Sequence, residues 1–218
     1  MHIPDGIVPA QVCAAGYGLT GLLTWYSLKK INQQGDPSAS VPKAALLTAA
    51  FFVGSSLYIP IPPSSVHLLL NGLLGVVLGY FAFPAILIGL FFQALIVGHG
   101  GLTTLGVNAA MMGIPALLAY YIFQLRGFRL KDGRAPKPFV TGLFAFLGGA
   151  VGLALAAFIF TGIIIATVPA DFNAQAEQAA IATLTISHLP LAVLEGIFTA
   201  VLVLFLERVK PELLGGRP

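Results

Sequence analysis

The chain has 218 residues, of which 57% are hydrophobic and only 9% are charged. Soluble domains carry roughly 25% charged residues, so this composition excludes an ordinary soluble domain and indicates an integral membrane protein. The single cysteine, Cys13, excludes a disulfide within the chain, and no phosphate-binding loop of the type G-x-x-x-x-G-K-[ST] occurs. The chain therefore cannot drive transport with ATP by itself.

Residues 1–6 are predicted to form a metal-chelating segment. A free amine followed by histidine offers three nitrogens in a row: the Met1 amine, the His2 amide and the His2 Nδ1. These nitrogens close two chelate rings around one ion, in a tetragonal arrangement that suits Ni(II) and Cu(II) and can hold Co(II). Pro4-Asp5-Gly6 predicts a turn that folds the segment back against the protein. Because His2 is large, we expect Met1 to escape removal.

Residues 7–207 are predicted to form an all-α bundle of about seven transmembrane helices, followed by a cytoplasmic tail over residues 208–218. The predicted helices cover residues 7–28, 43–59, 66–80, 84–97, 107–125, 139–166 and 181–207. The predicted loops are a polar linker (32–42), a glycine-rich loop (99–106), a basic loop (126–138) and an acidic loop (169–178). Prolines at positions 60, 62 and 63 end the second helix, and Ser64 or Ser65 can cap the third. Pro115 predicts a kink in the fifth helix.

In this arrangement all the basic residues fall on one side of the membrane. They are Lys29, Lys30, Lys43, Arg126, Arg129, Lys131, Arg134, Lys137, Arg208, Lys210 and Arg217. The positive-inside rule makes that side cytoplasmic. The opposite side holds Asp5, Asp171 and Glu177, so the N-terminus is predicted to lie outside, in a multi-pass protein of the inner (plasma) membrane. All four histidines fall at or near the outer ends of predicted helices.

His67 is predicted to supply a fourth in-plane donor to the metal. It follows the proline break, on the first turn of the third predicted helix and on the same side as His2. A histidine that only caps the helix or lies at the membrane interface is the alternative. The predicted metal ligands are therefore Met1, His2 and His67.

Other polar side chains are predicted to support this site or the bundle. His99 opens the glycine-rich loop, which can enter the membrane plane only where protein covers it; an ordinary outer turn is the alternative. Glu195 lies within the seventh predicted helix, and an intramembrane carboxylate is a functional candidate whose expected partner is His188 or Gln93. We expect a supporting role for it rather than direct ligation. Further buried polar groups expected to orient the helices or the site are Gln93, Asn108 and Asn71.

Several stretches of the chain resemble one known family. They are residues 1–6, Ser64-Ser65-Val66-His67, residues 93–108, His188-Leu189-Pro190 and Glu195-Gly196. Together they resemble the CbiM/NikM proteins, which are the substrate-binding membrane subunits of energy-coupling-factor transporters for cobalt and nickel. The resemblance covers nearly the whole chain. It implies a seven-helix protein whose N-terminus inserts into the bundle, with the metal held by the Met1 amine, the His2 amide and imidazole, and His67.

The predicted function is the capture of Co(II) or Ni(II) from outside by a subunit that is not an enzyme. No catalytic cofactor is expected, because the metal is the transported substrate. The resemblance implies a transmembrane coupling subunit and a pair of ATPases as partners, with a small two-helix membrane subunit in some systems; no nucleic acid is expected. Two alternatives stand beside this prediction: a membrane redox subunit with histidine-ligated haem, and a structural subunit that binds no metal.

Overall fold

A computed structural model describes residues 2–56, 58–61, 64–127, 136–167 and 174–214. Within these ranges the chain forms seven α-helices and one antiparallel two-stranded hairpin. The elements are α1 (Ala10–Gln33), α2 (Val41–Ser55), β1 (Tyr58–Ile61), β2 (Ser64–His67), α3 (Asn71–Leu78), α4 (Ala82–Phe92), α5 (Leu105–Gln124), α6 (Pro138–Thr167) and α7 (Ala174–Val209). The prediction of a mainly helical protein is confirmed.

Five helical stretches in the described ranges are long and apolar enough to cross a membrane. They are Pro37–Ser55, Asn71–Val97, Leu105–Gly127, Pro138–Thr167 and Ile186–Val209. An apolar helix satisfies its own backbone hydrogen bonds and exposes only side chains to lipid, so such stretches are stable across a bilayer. The chain is therefore a multi-pass membrane protein.

The stretch Asn71–Val97 is folded into two legs. Gly79 adopts φ +60° and ψ −126°, which side chains with a Cβ rarely adopt, and a 3-10 turn over Gly79–Phe81 separates α3 from α4. The far ends of the two legs come together again. The rings of His67, before α3, and His99, after α4, lie 5.9 Å apart between their centroids. The stretch is thus a helical hairpin.

For the predicted helices 43–59 and 66–80, the end of the first and the start of the second are wrong. The second helix stops at Ser55 and the third begins only at Asn71, because the chain between them pairs as β1 and β2. The prolines exclude helical hydrogen bonding here, and the β-branched residues at 59, 61 and 66 favour extended backbone. His67 therefore ends a strand, opposite Tyr58, instead of opening a helix.

The predicted caps Ser64 and Ser65 are wrong for the same reason, since both lie in β2. The N-cap position of α3 is held by Leu70, which has no side-chain hydrogen bond to offer. Its φ of +54° is left-handed, which is uncommon for a leucine. The backbone N–H groups at the N-terminus of α3 therefore need hydrogen-bond acceptors from another part of the molecule.

Other boundaries differ for local reasons. α1 begins at Ala10 because Pro9 occupies its N-cap, and it continues to Gln33, into the predicted polar linker, which also holds a 3-10 turn over Pro37–Ser40. α7 begins at Ala174, inside the predicted acidic loop, because the alanine-rich stretch that follows has high helix propensity. Residues 168–173 of that loop and 128–135 of the basic loop lie outside the described residues. The helices predicted at 107–125 and 139–166 agree closely with α5 and α6.

α3 is the central helix of the bundle, and all of its residues are buried. Glycines bring it close to its neighbours: a Cβ at Gly72 would overlap the backbone of α6, and one at Gly75 would overlap the Ala116 carbonyl of α5. At the end away from the histidines, the Lys43 Nζ donates hydrogen bonds to the carbonyls of Val77, at 3.1 Å, and Leu213, at 2.8 Å. This contact joins α2, α3 and the segment after α7.

Candidate metal centre

Three histidines from distant parts of the sequence meet at one end of the bundle. The ring centroid of His2 lies 5.0 Å from that of His67 and 5.4 Å from that of His99. The cluster brings together the predicted ligands His2 and His67 and the predicted supporting residue His99.

Two nitrogens of the cluster, the His67 Nε2 and the His2 Nδ1, lie 3.1 Å apart. Metal–nitrogen bonds are about 2.0–2.1 Å long, so donors at neighbouring corners of a square plane lie about 2.9 Å apart. Two axial ligands of one haem iron would lie about 4 Å apart on the same bond length. The observed separation fits neighbouring donors of a small ion, and it disfavours the haem alternative.

Gln93 determines which nitrogen of His2 carries the proton. The Gln93 Nε2 donates to the Phe52 carbonyl at 3.3 Å and to the Ser55 hydroxyl, which leaves its Oε1 as an acceptor. The His2 Nε2 lies 2.9 Å from that oxygen and therefore donates to it. The Nδ1 is left with a lone pair that faces His67. Support of this kind, which orients a ligating histidine through its other ring nitrogen, is general in metal sites.

Residues 2–6, called the N-terminal arm below, are docked on the N-terminus of α5. The Asn108 side chain binds the backbone of buried Ile3 at both polar atoms: the Ile3 N–H donates to Oδ1 at 2.9 Å, and Nδ2 donates to the Ile3 carbonyl at 3.0 Å. The Thr104 hydroxyl donates to the same carbonyl at 2.6 Å. The Asn108 side-chain amide thus makes the two backbone hydrogen bonds with Ile3 that a neighbouring strand would make. It holds the backbone in place directly after His2.

Asp5 fastens the outer part of the arm. Its Oδ1 accepts hydrogen bonds from the Thr103 N–H at 2.9 Å, the Thr103 hydroxyl at 2.5 Å and the Thr104 N–H at 3.3 Å. These N–H groups precede α5, whose dipole favours a negative charge there. The hydrogen bonds from Thr103 hold the pKa of Asp5 below its ordinary value of 3.8. A Cβ at Gly101 would overlap this carboxylate, so the loop needs glycine there.

Glu195 supports the segment that carries His67. Its carboxylate on α7 accepts hydrogen bonds from the backbone N–H of Leu69 and from that of Leu70, at 3.1 Å, beginning two residues after His67. The predicted partner Gln93 bonds to His2. Glu195 reaches the uncapped N-terminus of α3 instead.

The remaining predicted residues lie around this cluster. His99 stacks on His2 with an angle of 17° between the rings. His188 is buried on α7. The Asn71 Nδ2 donates to the carbonyls of Met112 at 3.2 Å and Gly152 at 3.0 Å, which fixes α3 between α5 and α6. Sequence reasoning did not identify Thr104 or Ser55 as supporting residues; Thr104 lies one helical turn before Asn108, whereas Ser55 carries no such signal.

Burial keeps the histidines neutral. Desolvation lowers the pKa of His2 well below its ordinary value of 6.5, and the positive charge of the amino terminus lowers it further. The same two causes lower the pKa of His67 to about 2 and also lower the pKa of His99. Neutral imidazole is the form that offers a lone pair to a metal ion.

Comparison with known proteins agrees with the geometry. The CbiM family model, described as a cobalt uptake substrate-specific transmembrane region, matches residues 2–213. A putative metal transport protein of Haemophilus influenzae is 31% identical over 217 residues, covering 98% of this chain and 97% of that protein. The fused nickel transport protein NikMN of Rhodobacter capsulatus is 31% identical over 232 residues, covering 100% of this chain and 65% of that protein.

A solved structure has the same fold. The crystal structure of a truncated transition metal transporter matches with a TM-score of 0.78 at 27% identity, covering 95% of this chain and 99% of that one. The fold, the histidine cluster and these similarities define a multi-pass membrane component of cobalt and nickel transport. The chain belongs to the CbiM family.

Proposed function

We propose that this chain captures Co(II) or Ni(II) from outside the cell, as the substrate-specific subunit of an energy-coupling-factor importer. The ion is held by four nitrogens: the Met1 amine, the His2 amide, the His2 Nδ1 and the His67 Nε2. The observation that carries this proposal is the 3.1 Å separation of the last two, with Gln93 directing the His2 Nδ1 toward His67. The chain acts as a transport subunit and is not an enzyme.

Binding exchanges protons for the metal ion. In the metal-free pair, the His67 Nε2–H donates to the His2 Nδ1. For both nitrogens to bind one ion, the neutral His67 ring moves its proton from Nε2 to Nδ1, a change of tautomer that releases no proton. The Met1 ammonium and the His2 amide must each lose a proton to bind, and these two protons pass to water, so affinity rises with pH. The two neighbouring imidazole donors and the amide give the square arrangement that Ni(II) accepts well.

The proposed topology has seven spans with the N-terminus outside. The reversal of the chain between α3 and α4 supports this count, because each of the two legs would then contribute one crossing within the stretch Asn71–Val97. The contact of Lys43 with Val77 and Leu213, away from the histidines, supports opposite membrane faces for the basic residues and the metal site. Residues 1–6 then form the capture segment, 7–207 the bundle and 208–218 the cytoplasmic tail.

The proposed partners are a transmembrane coupling subunit and a pair of ATPases, joined in some systems by a small two-helix membrane subunit. The sequence supports the need for ATPases, since it holds no phosphate-binding loop. Family membership supports the assembly, and one relative is itself named as a fused protein of which this chain matches 65%. Inward release follows from a change in the bundle that the ATPases drive.

The test measures metal binding to protein with a native N-terminus and a C-terminal purification tag. Equilibrium dialysis against Ni(II) and Co(II) chloride compares the wild type with His2→Ala and with a chain extended by several Gly and Ser residues before Met1. His2→Ala removes the chelate ring that contains the imidazole, and the extension moves the amine out of reach of the ion, so the tight site should be lost in both. Asp36→Asn, at an exposed turn, is the matched control and should bind normally. Tight binding that survives both His2→Ala and the extension would overturn the proposal.

A further inference from the structure

The turn between β2 and α3 is not stabilised by a capping hydrogen bond from its own side chains. Leu70 holds the N-cap position in a left-handed conformation, and no side chain of this segment caps α3. The first backbone N–H groups of any helix lack partners within the helix. This N-terminus is also buried, since Leu69 and Leu70 are almost inaccessible to solvent. Its polar groups therefore need a partner from elsewhere.

Glu195 is that partner, and it comes from α7. Its side chain is only 1% exposed, and its carboxylate accepts from the N–H groups of Leu69 and Leu70. In sequence these donors lie 126 and 125 residues away. A carboxylate at a helix N-terminus is favoured both by the N–H donors and by the helix dipole. The contact begins two residues after His67.

α7 is itself fixed at this level by α6. A Cβ at Gly149 would lie 2.9 Å from the Glu195 carbonyl, and a Cβ at Gly196 would lie 2.8 Å from the Phe146 ring. Such spacing leaves the two helices no room to rotate against each other without separating. The Glu195 carboxylate is therefore held by a rigid pair of helices.

We propose that Glu195 is the positioning residue for His67: it holds the turn after β2 so that the His67 Nε2 stays beside the His2 Nδ1. This inference rests on the proposed function, because His67 must be a ligand for its position to matter. Glu195 itself does not touch the metal. Movement of α7 would then carry the His67 end of the site with it, which connects the bundle to metal retention.

The experiment measures Ni(II) affinity and dissociation rate for Glu195→Gln and Glu195→Asp in the full chain with a native N-terminus. In the glutamine variant an amide NH₂ replaces one acceptor, so the turn after His67 loses part of its support. We expect affinity to fall about 10- to 100-fold through faster dissociation, as for other residues that orient a ligand. The absorption spectrum of bound Ni(II) should not change, because the four donors remain. Glu195→Asp keeps the carboxylate and should restore part of the affinity.

Glu207→Gln is the matched control. It makes the same substitution on the same helix, at a carboxylate that accepts a hydrogen bond from the Thr141 hydroxyl at 3.0 Å, far from the histidines. Its thermal stability is measured beside that of Glu195→Gln, and its Ni(II) affinity should equal that of the wild type. Equal affinity losses in the two variants, or wild-type dissociation in Glu195→Gln, would overturn the inference.

Two other outcomes distinguish a failure of the positioning role from a failure of the proposed function. If Glu195→Gln does not fold, Glu195→Asp gives the test, and its wild-type dissociation rate would overturn the inference. If the wild type itself binds no Ni(II), the proposed function has failed, and the positioning role fails with it. Wild-type binding with no difference among the variants overturns the positioning role alone.

Discussion

The two segments that carry His2 and His67 are held in different ways. The N-terminal arm is held by hydrogen bonds to Asn108, Thr104 and Thr103 at the N-terminus of α5. The His67 segment continues into the chain on both sides: β2 pairs with β1, and Glu195 binds the turn that leads into α3. One proposed ligand thus lies on the N-terminal arm, and the other belongs to the core of the bundle.

This difference indicates how a buried ion could be both retained and released. The arm can leave by breaking these hydrogen bonds and withdrawing the buried Ile3 from its apolar cluster with Val8 and Val107, without disturbing the packing of α3. The His67 segment cannot leave without uncapping a fully buried helix. We therefore expect changes in the arm to act on metal dissociation, and changes behind His67 to act on both binding and folding.

The largest effect is expected for His67→Ala, which removes a proposed ligand from the fixed side. Loss of a residue that only orients a ligand costs about 10- to 100-fold in affinity, so loss of the ligand should cost at least about 100-fold. Isothermal titration with Ni(II) measures this change. His99→Ala provides a comparison, since His99 stacks on His2 without being a proposed ligand. If the two variants bind equally well, His67 is not a ligand.

Asn108→Ala should give the next largest effect, by loosening the arm. It removes two hydrogen bonds to Ile3, and each buried neutral bond is worth about 0.5–1.5 kcal/mol, so metal dissociation should accelerate about 5- to 100-fold. Stopped-flow transfer of Ni(II) to a chelator measures the rate. Asn71→Ala also removes two hydrogen bonds, but from inside the bundle.

This pair of asparagines tests the comparison directly. We expect Asn108→Ala to release metal faster with little loss of thermal stability. Asn71→Ala should lower the melting temperature more and change the release rate less. The distinction between arm and core would be refuted by Asn71→Ala releasing metal as fast as Asn108→Ala.

Gly101→Ala should displace the outer arm by steric overlap, because its Cβ would occupy the place of the Asp5 carboxylate. The contact is partly exposed, so Asp5 and its loop can shift apart, and we expect dissociation about threefold to tenfold faster. Gly18→Ala is the control, since its Cβ would meet no atom within 4 Å. The chelator-transfer assay measures both variants, and equal rates would show that this loop does not hold the arm.

The smallest effect is expected for Asp5→Asn. Exposed charge-assisted contacts are weak, so dissociation should accelerate only about twofold to fivefold. The pKa of Asp5 is depressed, so its contribution is complete above its ordinary value of 3.8 and is lost only as the pH falls through the lowered value. The ratio of variant to wild-type rates should thus be the same at about pH 6 and about pH 8. A ratio that changes between them would assign the effect to another group.

The path of the chain between α2 and α3 shows where sequence reasoning reached its limit. An apolar run after a proline break predicts a helix from Val66, and the β-branched side chain of Val66 is too weak a local signal to overturn that prediction. The backbone is extended there because β2 pairs with β1. The helix α3 begins later than predicted because the Glu195 carboxylate accepts hydrogen bonds from the N–H groups at its N-terminus. The N–H donors before α3 and the Glu195 carboxylate that accepts from them lie up to 126 residues apart in the sequence, so no local pattern can reveal this contact.

The supporting residues of the candidate site divide in the same way. Gln93 and Asn108 were recognisable as polar groups in apolar helices, which must find partners when buried. Their actual partners, His2 and Ile3, depend on which helix ends adjoin the arm. The hydrogen bonds of Glu195 to the N-terminus of α3 were not predicted, because a helix N-terminus offers backbone donors that side-chain reasoning overlooks.

The sequence by itself determined the membrane class and most of the helices, and it predicted the basic face and the chelating nitrogens of Met1 and His2. These features are local: they depend on residue type, on the length of apolar runs and on neighbouring atoms in one peptide. Only the tertiary structure decided that His2 Nδ1 faces His67, that Gln93 orients it and that Glu195 holds the turn behind His67. Such contacts are set by the packing of helices far apart in the chain, where differences of a few ångströms decide which groups meet.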